Sequence, residues 1–178
     1  MNICVYGANT EETNEEYLDV CYDLGLEIAN RGHTLISGGE DAGIMGAVAC
    51  GVDDNQGKII GIIPSWIEDF ELLPVSFYEL IETDSIKERQ NKIVEYSDIL
   101  IVSPGGIKTL DNFFEAIRLR KKGKLAHKII VFNIDGFYDT LIEFFVQMDE
   151  EKLLNIDMSE IFEIVTDIDE IFEIIDRI

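Results

Sequence analysis

The stretch DILIVSPGGIKTLDNFFEAI, Asp98 to Ile117, decides the fold. Ile99–Val102 is a short, unbroken apolar run, as a parallel strand covered on both faces requires. Pro104, Gly105 and Gly106 then interrupt the run. From about Leu110 to Lys122 the pattern turns helical and finishes in basic residues, which suit the negative end of a helix dipole. Strand, glycine turn and helix in that order are the opening of a βαβ crossover.

The same alternation extends in both directions. Toward the amino end, NICVYG, TLIS, KIIGIIP and VSFYELIE read as strands. Between them, Tyr17, Cys21, Leu24 and Ile28 fall at helical spacing, and Gly32 closes that helix. The small residues Ala47, Ala49 and Gly51 predict a helix packed close against the sheet, and SIKERQNKIVEYS a helix with Ile86, Ile93 and Tyr96 inward. Toward the carboxyl end come the strand KIIVFN, a helix with Leu141, Phe145 and Met148 on one side, and the strand FEIVT. A last helix is capped by Asp167 and Glu170 in the D-x-x-E manner. Strand and helix taking turns from end to end predict one α/β domain over residues 1–178. It is a doubly wound, mostly parallel sheet of about six or seven strands with helices on both faces.

Composition narrows the function. Apolar residues make up 47% of the 178 positions, so a packed core is expected. A net charge of −22 leaves no basic face for a nucleic-acid polymer and disfavours an anionic membrane surface. A small anion remains compatible, because a few backbone amides and one arginine dominate the field inside a pocket. Cys4, Cys21 and Cys50 are odd in number and widely spaced, which suits reduced thiols. No leader and no membrane-length apolar run is visible, so a cytoplasmic location is expected. With only His33 and His127, both read as surface-loop residues, no metal site is expected.

Right-handed crossovers bring three glycine turns to the carboxyl edge of the sheet: GANTEE, SGGEDAGIMG and SPGGIKT. Glycines let backbone amides approach an anion, and each following helix adds positive potential. None of the three is the strict dinucleotide or Walker loop.

SGGEDAGIMGAVA, GIIP, ERQNK and PGGIKTLDN together resemble the Lonely Guy family, often labelled lysine decarboxylase. The resemblance runs from ICVYGA to NIDGFYDTLIEFF. It implies a Rossmann-like homodimer that hydrolyses the N-glycosidic bond of AMP or N6-modified AMP, without a cofactor, to base and ribose 5-phosphate. The lysine decarboxylase label carries little weight, since no lysine has a recognisable pyridoxal-phosphate context. The family signature is PGG-x-GT-x-x-E behind an arginine on a helix. Arg89 stands at the family's spacing before Pro104, and Pro104, Gly105, Gly106 and Thr109 match. Gly38, Gly39, Gly43, Met45 and Gly46 match the second glycine turn. All of these are expected at the nucleotide site.

Two positions depart from the signature: Lys108 replaces a glycine and Asn112 the glutamate. An amide can hydrogen-bond a ribose hydroxyl but cannot accept a proton or carry charge. Glu115, one turn further along the same helix face, is the candidate substitute, against a plain interaction with Arg118 or Arg89; Asp111 points about 100° away. Lys108 either reaches the phosphate, fills its space, or projects into water. Arg89 is a ligand residue or an exposed partner of Glu88 or Glu95. Trp66 and Phe70 form an aromatic wall, a dimer contact or loop packing, and Tyr17 and Tyr22 belong to the core or an interface. Two functions are therefore expected to compete: a weakened phosphoribohydrolase, and a nucleotide- or sugar-phosphate-binding protein that has lost its chemistry.

Overall fold

All seven strands read from the sequence pair in parallel in one sheet. The structure, a computed structural model, describes residues 1–66, 75–122, 128–154 and 157–178. In chain order the elements are β1 (Asn2–Tyr6), α1 (Glu15–Asn30), β2 (Thr34–Ser37), α2 (Gly43–Asp54), β3 (Lys58–Pro64) and β4 (Glu79–Thr83). They continue with α3 (Ile86–Tyr96), β5 (Ile99–Val102), α4 (Ile107–Lys121), β6 (Lys128–Phe132), α5 (Asp139–Glu150), β7 (Phe162–Val165) and α6 (Ile168–Ile175). The strand order is β4-β3-β2-β1-β5-β6-β7. The chain winds outward from β1, returns to lay β5 beside it, and winds outward the other way. Winding therefore reverses between β1 and β5, where an open α/β sheet leaves a crevice at its carboxyl edge.

Strand periodicity sorts the core into two layers. Ile3 and Val5 of β1, with Ile99 and Ile101 of β5, face α1, α2 and α6. Cys4 and Tyr6, with Leu100 and Val102, face the side of α3, α4 and α5. Every residue of β5 is buried, as a central parallel strand requires. Cys21, Leu24 and Ile28 are buried on α1, and Gly32 ends that helix at φ 71°. Asp167 accepts from the Glu170 amide at 2.9 Å, while the Glu170 carboxylate accepts from Thr166 N at 2.8 Å, closing the expected cap.

Four local expectations are corrected. Gly51 serves a helix–helix contact: a Cβ there would lie 2.2 Å from Tyr22 O of α1, so α2 packs closely on α1 at that point and not only on the sheet. β4 begins at Glu79, because the preceding Phe77 ring lies over Gly61 of β3. On α3 only Ile93 is buried among the three predicted apolar residues; Ile86 is 52% exposed and Tyr96 37%, because Arg89 takes the inward position between them. His33 is half-buried, stacked on Phe172 with ring centroids 5.9 Å apart. His127 and Phe70 lie outside the described residues. Trp66 is exposed, and Tyr22 donates to Asp54 at 2.8 Å.

Candidate functional site

The first two glycine turns and the third meet at the reversal point. Ala8 N donates to Pro104 O at 2.9 Å, and Met45 N to Ala8 O at 3.3 Å. Gly43 has φ 62°, and a Cβ on it would lie 2.6 Å from Ala8 O; one on Gly46 would lie 2.6 Å from Asp41 O. These two glycines knit backbone to backbone. They set the edge on which the site stands.

Beside this junction, above the carboxyl ends of β1 and β2 and between α3 and α4, lies a narrow cavity of about 100 Å³. Of the expected residues it is lined by Gly38, Met45, Arg89, Lys108, Thr109 and Asn112. Pro104, Gly105 and Gly106 line a shallower depression on the other side of their turn, with Ala8, Asn14 and Phe137. Glu115 lies outside both linings and accepts from Arg118 Nη2 at 2.8 Å. Gly39, at φ 81°, directs its amide to Ser37 Oγ at 3.1 Å.

Helix α4 begins at Ile107, a turn earlier than the apolar pattern indicated, and Gly106 is its N-cap without a side-chain bond. Lys108 and Thr109 therefore belong to the first helical turn and not to the preceding loop. The amides of a first turn have no partner within the helix, so this end presents donors and positive potential to an anion. A Cβ on Gly106 would meet nothing within 4 Å, whereas one on Gly105 would lie 2.2 Å from Thr109 Oγ1. Gly105 is thus fixed by packing, and Gly106 stands open.

Arg89 is 8% exposed and, with Ile93, is one of the two buried residues of α3. Its Nε donates to Gly38 O at 3.2 Å and Ile62 O at 3.1 Å; Nη2 donates to Gly38 O at 2.7 Å and to Glu40 Oε1 at 2.5 Å. A Cβ at residue 38 would lie 1.7 Å from Nη2, so only glycine admits this arginine. Its acidic partner is Glu40, not the neighbouring Glu88 or Glu95. Lys108, 57% exposed, places Nζ 3.4 Å from the same Glu40 oxygen.

Glu40 is the site residue that the sequence reading missed. A carboxylate inside a glycine turn that the topology brings to the same sheet edge as Arg89 was the available signal. Burial works to raise its carboxyl, and the charge and hydrogen bond of Arg89, with the Lys108 charge, outweigh that and hold it below the ordinary carboxylate range. Cys4 also lines the cavity, but burial pushes its thiol up to about 12, which removes it as a nucleophile. Among the described residues, no three His, Cys, Asp or Glu side chains are grouped to hold a metal ion. No helix among them is long and apolar enough to cross a membrane.

Residues 45–175 match the family model described as possible lysine decarboxylase. A cytokinin riboside 5′-monophosphate phosphoribohydrolase of Arabidopsis thaliana is 31% identical over 153 residues, 86% of this chain and 71% of that protein. A probable enzyme of the same name from Oryza sativa subsp. japonica is 32% identical, over 80% of this chain and 63% of its own length. Coverage of such relatives thus runs on both sides of two thirds. A molybdenum cofactor binding protein of Rippkaea orientalis superposes with a TM-score of 0.72 at 25% identity, covering 99% of this chain and 95% of that one.

Proposed function

The chain belongs to the Lonely Guy family, and from that membership and the site we propose that it hydrolyses the N-glycosidic bond of a nucleoside 5′-monophosphate. The substrate is AMP or an N6-modified AMP, and the products are the free base and ribose 5-phosphate. The observation that carries this reading is the buried Arg89, fixed over Gly38 by three bonds to backbone carbonyls and facing the first turn of α4 across the cavity. A guanidinium on one wall and helix-end amides with Lys108 on the other suit a phosphorylated ribose.

Each lining group has a role in this reading. The first-turn amides of α4 and the Lys108 ammonium receive the phosphate, and Thr109 offers a hydroxyl beside them. Asn112 hydrogen-bonds a ribose hydroxyl. Its amide cannot take a proton, and loss of acid–base assistance is typically worth about 10²–10⁴-fold, so turnover is slow. The cavity of about 100 Å³ is smaller than the roughly 300–1,000 Å³ of ordinary small-molecule sites. The exposed Lys108 side chain therefore moves off Glu40 and stays with the phosphate as a nucleotide enters.

The decisive assay incubates the protein with AMP and with isopentenyl-adenosine monophosphate and measures free base. No release above buffer for either substrate refutes the reading. The amide at Asn112 also favours a second one, binding of a nucleotide or sugar phosphate without cleavage, which calorimetry with AMP and ribose 5-phosphate separates from the first. The likeness to a molybdenum cofactor binding protein is in keeping with binding without cleavage. In either reading the protein acts in the cytoplasm as a homodimer. Ile86 and Tyr96 on α3, with Ile107 (84% exposed) and Phe114 on α4, supply the apolar surface for pairing; a monomer mass by light scattering at micromolar concentration refutes the dimer.

A further inference from the structure

Glu40 has one engaged oxygen and one free oxygen. Oε1 accepts from Arg89 and lies near Lys108. Oε2 is shielded from solvent and has no hydrogen-bond partner among the described residues. The side chain is only 10% exposed and lines the same cavity as Thr109 and Asn112. Leaving a buried acceptor unsatisfied costs about 1–3 kcal/mol, more for a charged group, so such an atom calls for an explanation. An O–H donor brought by a ligand supplies one.

The charge balance says what this oxygen does best. Arg89 and Lys108 keep the carboxylate ionised, which makes it a weak base; once Lys108 follows the phosphate, Arg89 alone offsets its charge, from the Oε1 side, and Oε2 presents negative potential to developing positive charge. Cleavage of an N-glycosidic bond develops that charge on the ribose ring.

We propose that Glu40 supplies the carboxylate of this site in place of the amide at Asn112, its free oxygen holding a ribose hydroxyl or the attacking water while its charge stabilises the oxocarbenium-like ribose. The inference rests on the hydrolase reading above. In the step, the bond from C1′ to the base nitrogen breaks and its electron pair leaves on the base. The water oxygen bonds to C1′, and the proton it loses passes through solvent to the departing base. Glu40 begins and ends the step ionised, and nothing is oxidised or reduced.

The test measures kcat and KM for release of base from AMP and isopentenyl-adenosine monophosphate by the wild type, Glu40→Gln, Glu40→Asp, Asn112→Glu and Glu40→Gln/Asn112→Glu, with the fold followed by thermal melting. Glutamine keeps the shape and can still accept from Arg89. Its kcat is expected to fall about 10²-fold or more with KM within roughly threefold, the pattern of a lost transition-state interaction. Returning a carboxylate from the facing helix in the double variant restores at least about tenfold of that loss, while Asn112→Glu alone, with Glu40 still in place, gains several-fold less; equal gains in both backgrounds would mean that the two positions act separately and overturn the role of Glu40. Should Glu40→Gln melt below the assay temperature, Glu40→Asp carries the test. It keeps the charge but withdraws it by one methylene, and kcat drops about tenfold or more. A glutamine variant, or in its place an aspartate variant, with kcat within threefold of wild type overturns the role of Glu40 and leaves the hydrolase reading standing. A wild type without turnover overturns both.

Discussion

Replacing Arg89 with methionine, which keeps the length and apolar stem but removes the guanidinium, should destabilise the protein by about 3–5 kcal/mol at pH 7, the usual cost of removing one partner from a buried ion pair. Three carbonyl contacts and the Glu40 bond disappear together, and Glu40, 10% exposed, is left with only the distant and solvated Lys108. At roughly 2–4 °C per kcal/mol for a chain of this size, the melting point falls by about 6–20 °C. The pH dependence identifies the cause. In the wild type the Glu40 carboxyl is held below its ordinary range, so its stabilising contribution is present above the unfolded carboxylate pKa and is lost as pH falls through the folded value. Without Arg89 burial dominates, and the folded carboxyl moves above the unfolded one. The ionised Glu40 then destabilises at neutral pH, and protonation relieves that as pH falls toward about 4. Urea unfolding of wild type, Arg89→Met, Glu40→Gln and the double variant at pH 7 and pH 4.5 should show the methionine deficit shrinking with acid, and a double-variant loss well below the sum of the singles. A deficit under about 1 kcal/mol, or one that grows with acid, refutes the view that Arg89 and Glu40 are coupled inside the site.

Gly38→Ala would put a Cβ 1.7 Å from Arg89 Nη2, so calorimetry should show AMP binding weakened by roughly 10-fold or more as the guanidinium is displaced; unchanged affinity means that Arg89 does not hold the ligand. Gly51→Ala, with its Cβ 2.2 Å from Tyr22 O, should force α1 and α2 apart and cost about 1–3 kcal/mol in thermal or urea unfolding, without changing ligand affinity. Burial pushes both Cys4 and Cys21 up to about 12, so a disulfide reagent at pH 8 should modify Cys50 well before either of them, and the two buried thiols only on denaturation.

The sequence exposed the sheet because every strand is a local event: an apolar run such as Ile99–Val102 bounded by a turn carries its own signal. Element ends were less legible because they are set by partners. α4 starts at Ile107 because the open Gly106 can act as its N-cap, and β4 starts late because Phe77 covers a glycine on the neighbouring strand. Ile86 was misplaced for a deeper reason. Apolar spacing along α3 assumes that the inward face is apolar, whereas the inward face there is given to Arg89, which satisfies itself on carbonyls of Gly38 and Ile62. A buried charge inverts the pattern that finds cores.

That same inversion explains how the site was read. Matching the family pattern located Arg89, Gly38, Thr109 and Asn112, four lining residues carried on three different segments of the chain, because each sits in a motif of fixed local spacing. It pointed for the missing carboxylate to Glu115, one turn along the same helix, since helical periodicity sees only its own helix. The side chain that reaches the cavity comes from another turn altogether, across the sheet edge, and Gly38 is what lets the two sides meet: with no Cβ at residue 38, Arg89 can lie flat over the turn and draw in the Glu40 carboxylate two residues further on. The substitution at residue 112 and the acidic residue at 40 are then two halves of one arrangement. Moving the carboxylate from one position to the other, as Glu40→Gly with Asn112→Glu, should give a protein that binds AMP at least as well as the wild type with Arg89 still buried, whereas Glu40→Gly alone should leave the guanidinium buried without a carboxylate and lower stability by about 3–5 kcal/mol. If the single variant is as stable as the double in urea unfolding, the two positions are independent, and the carboxylate at residue 40 has no connection with the amide at 112.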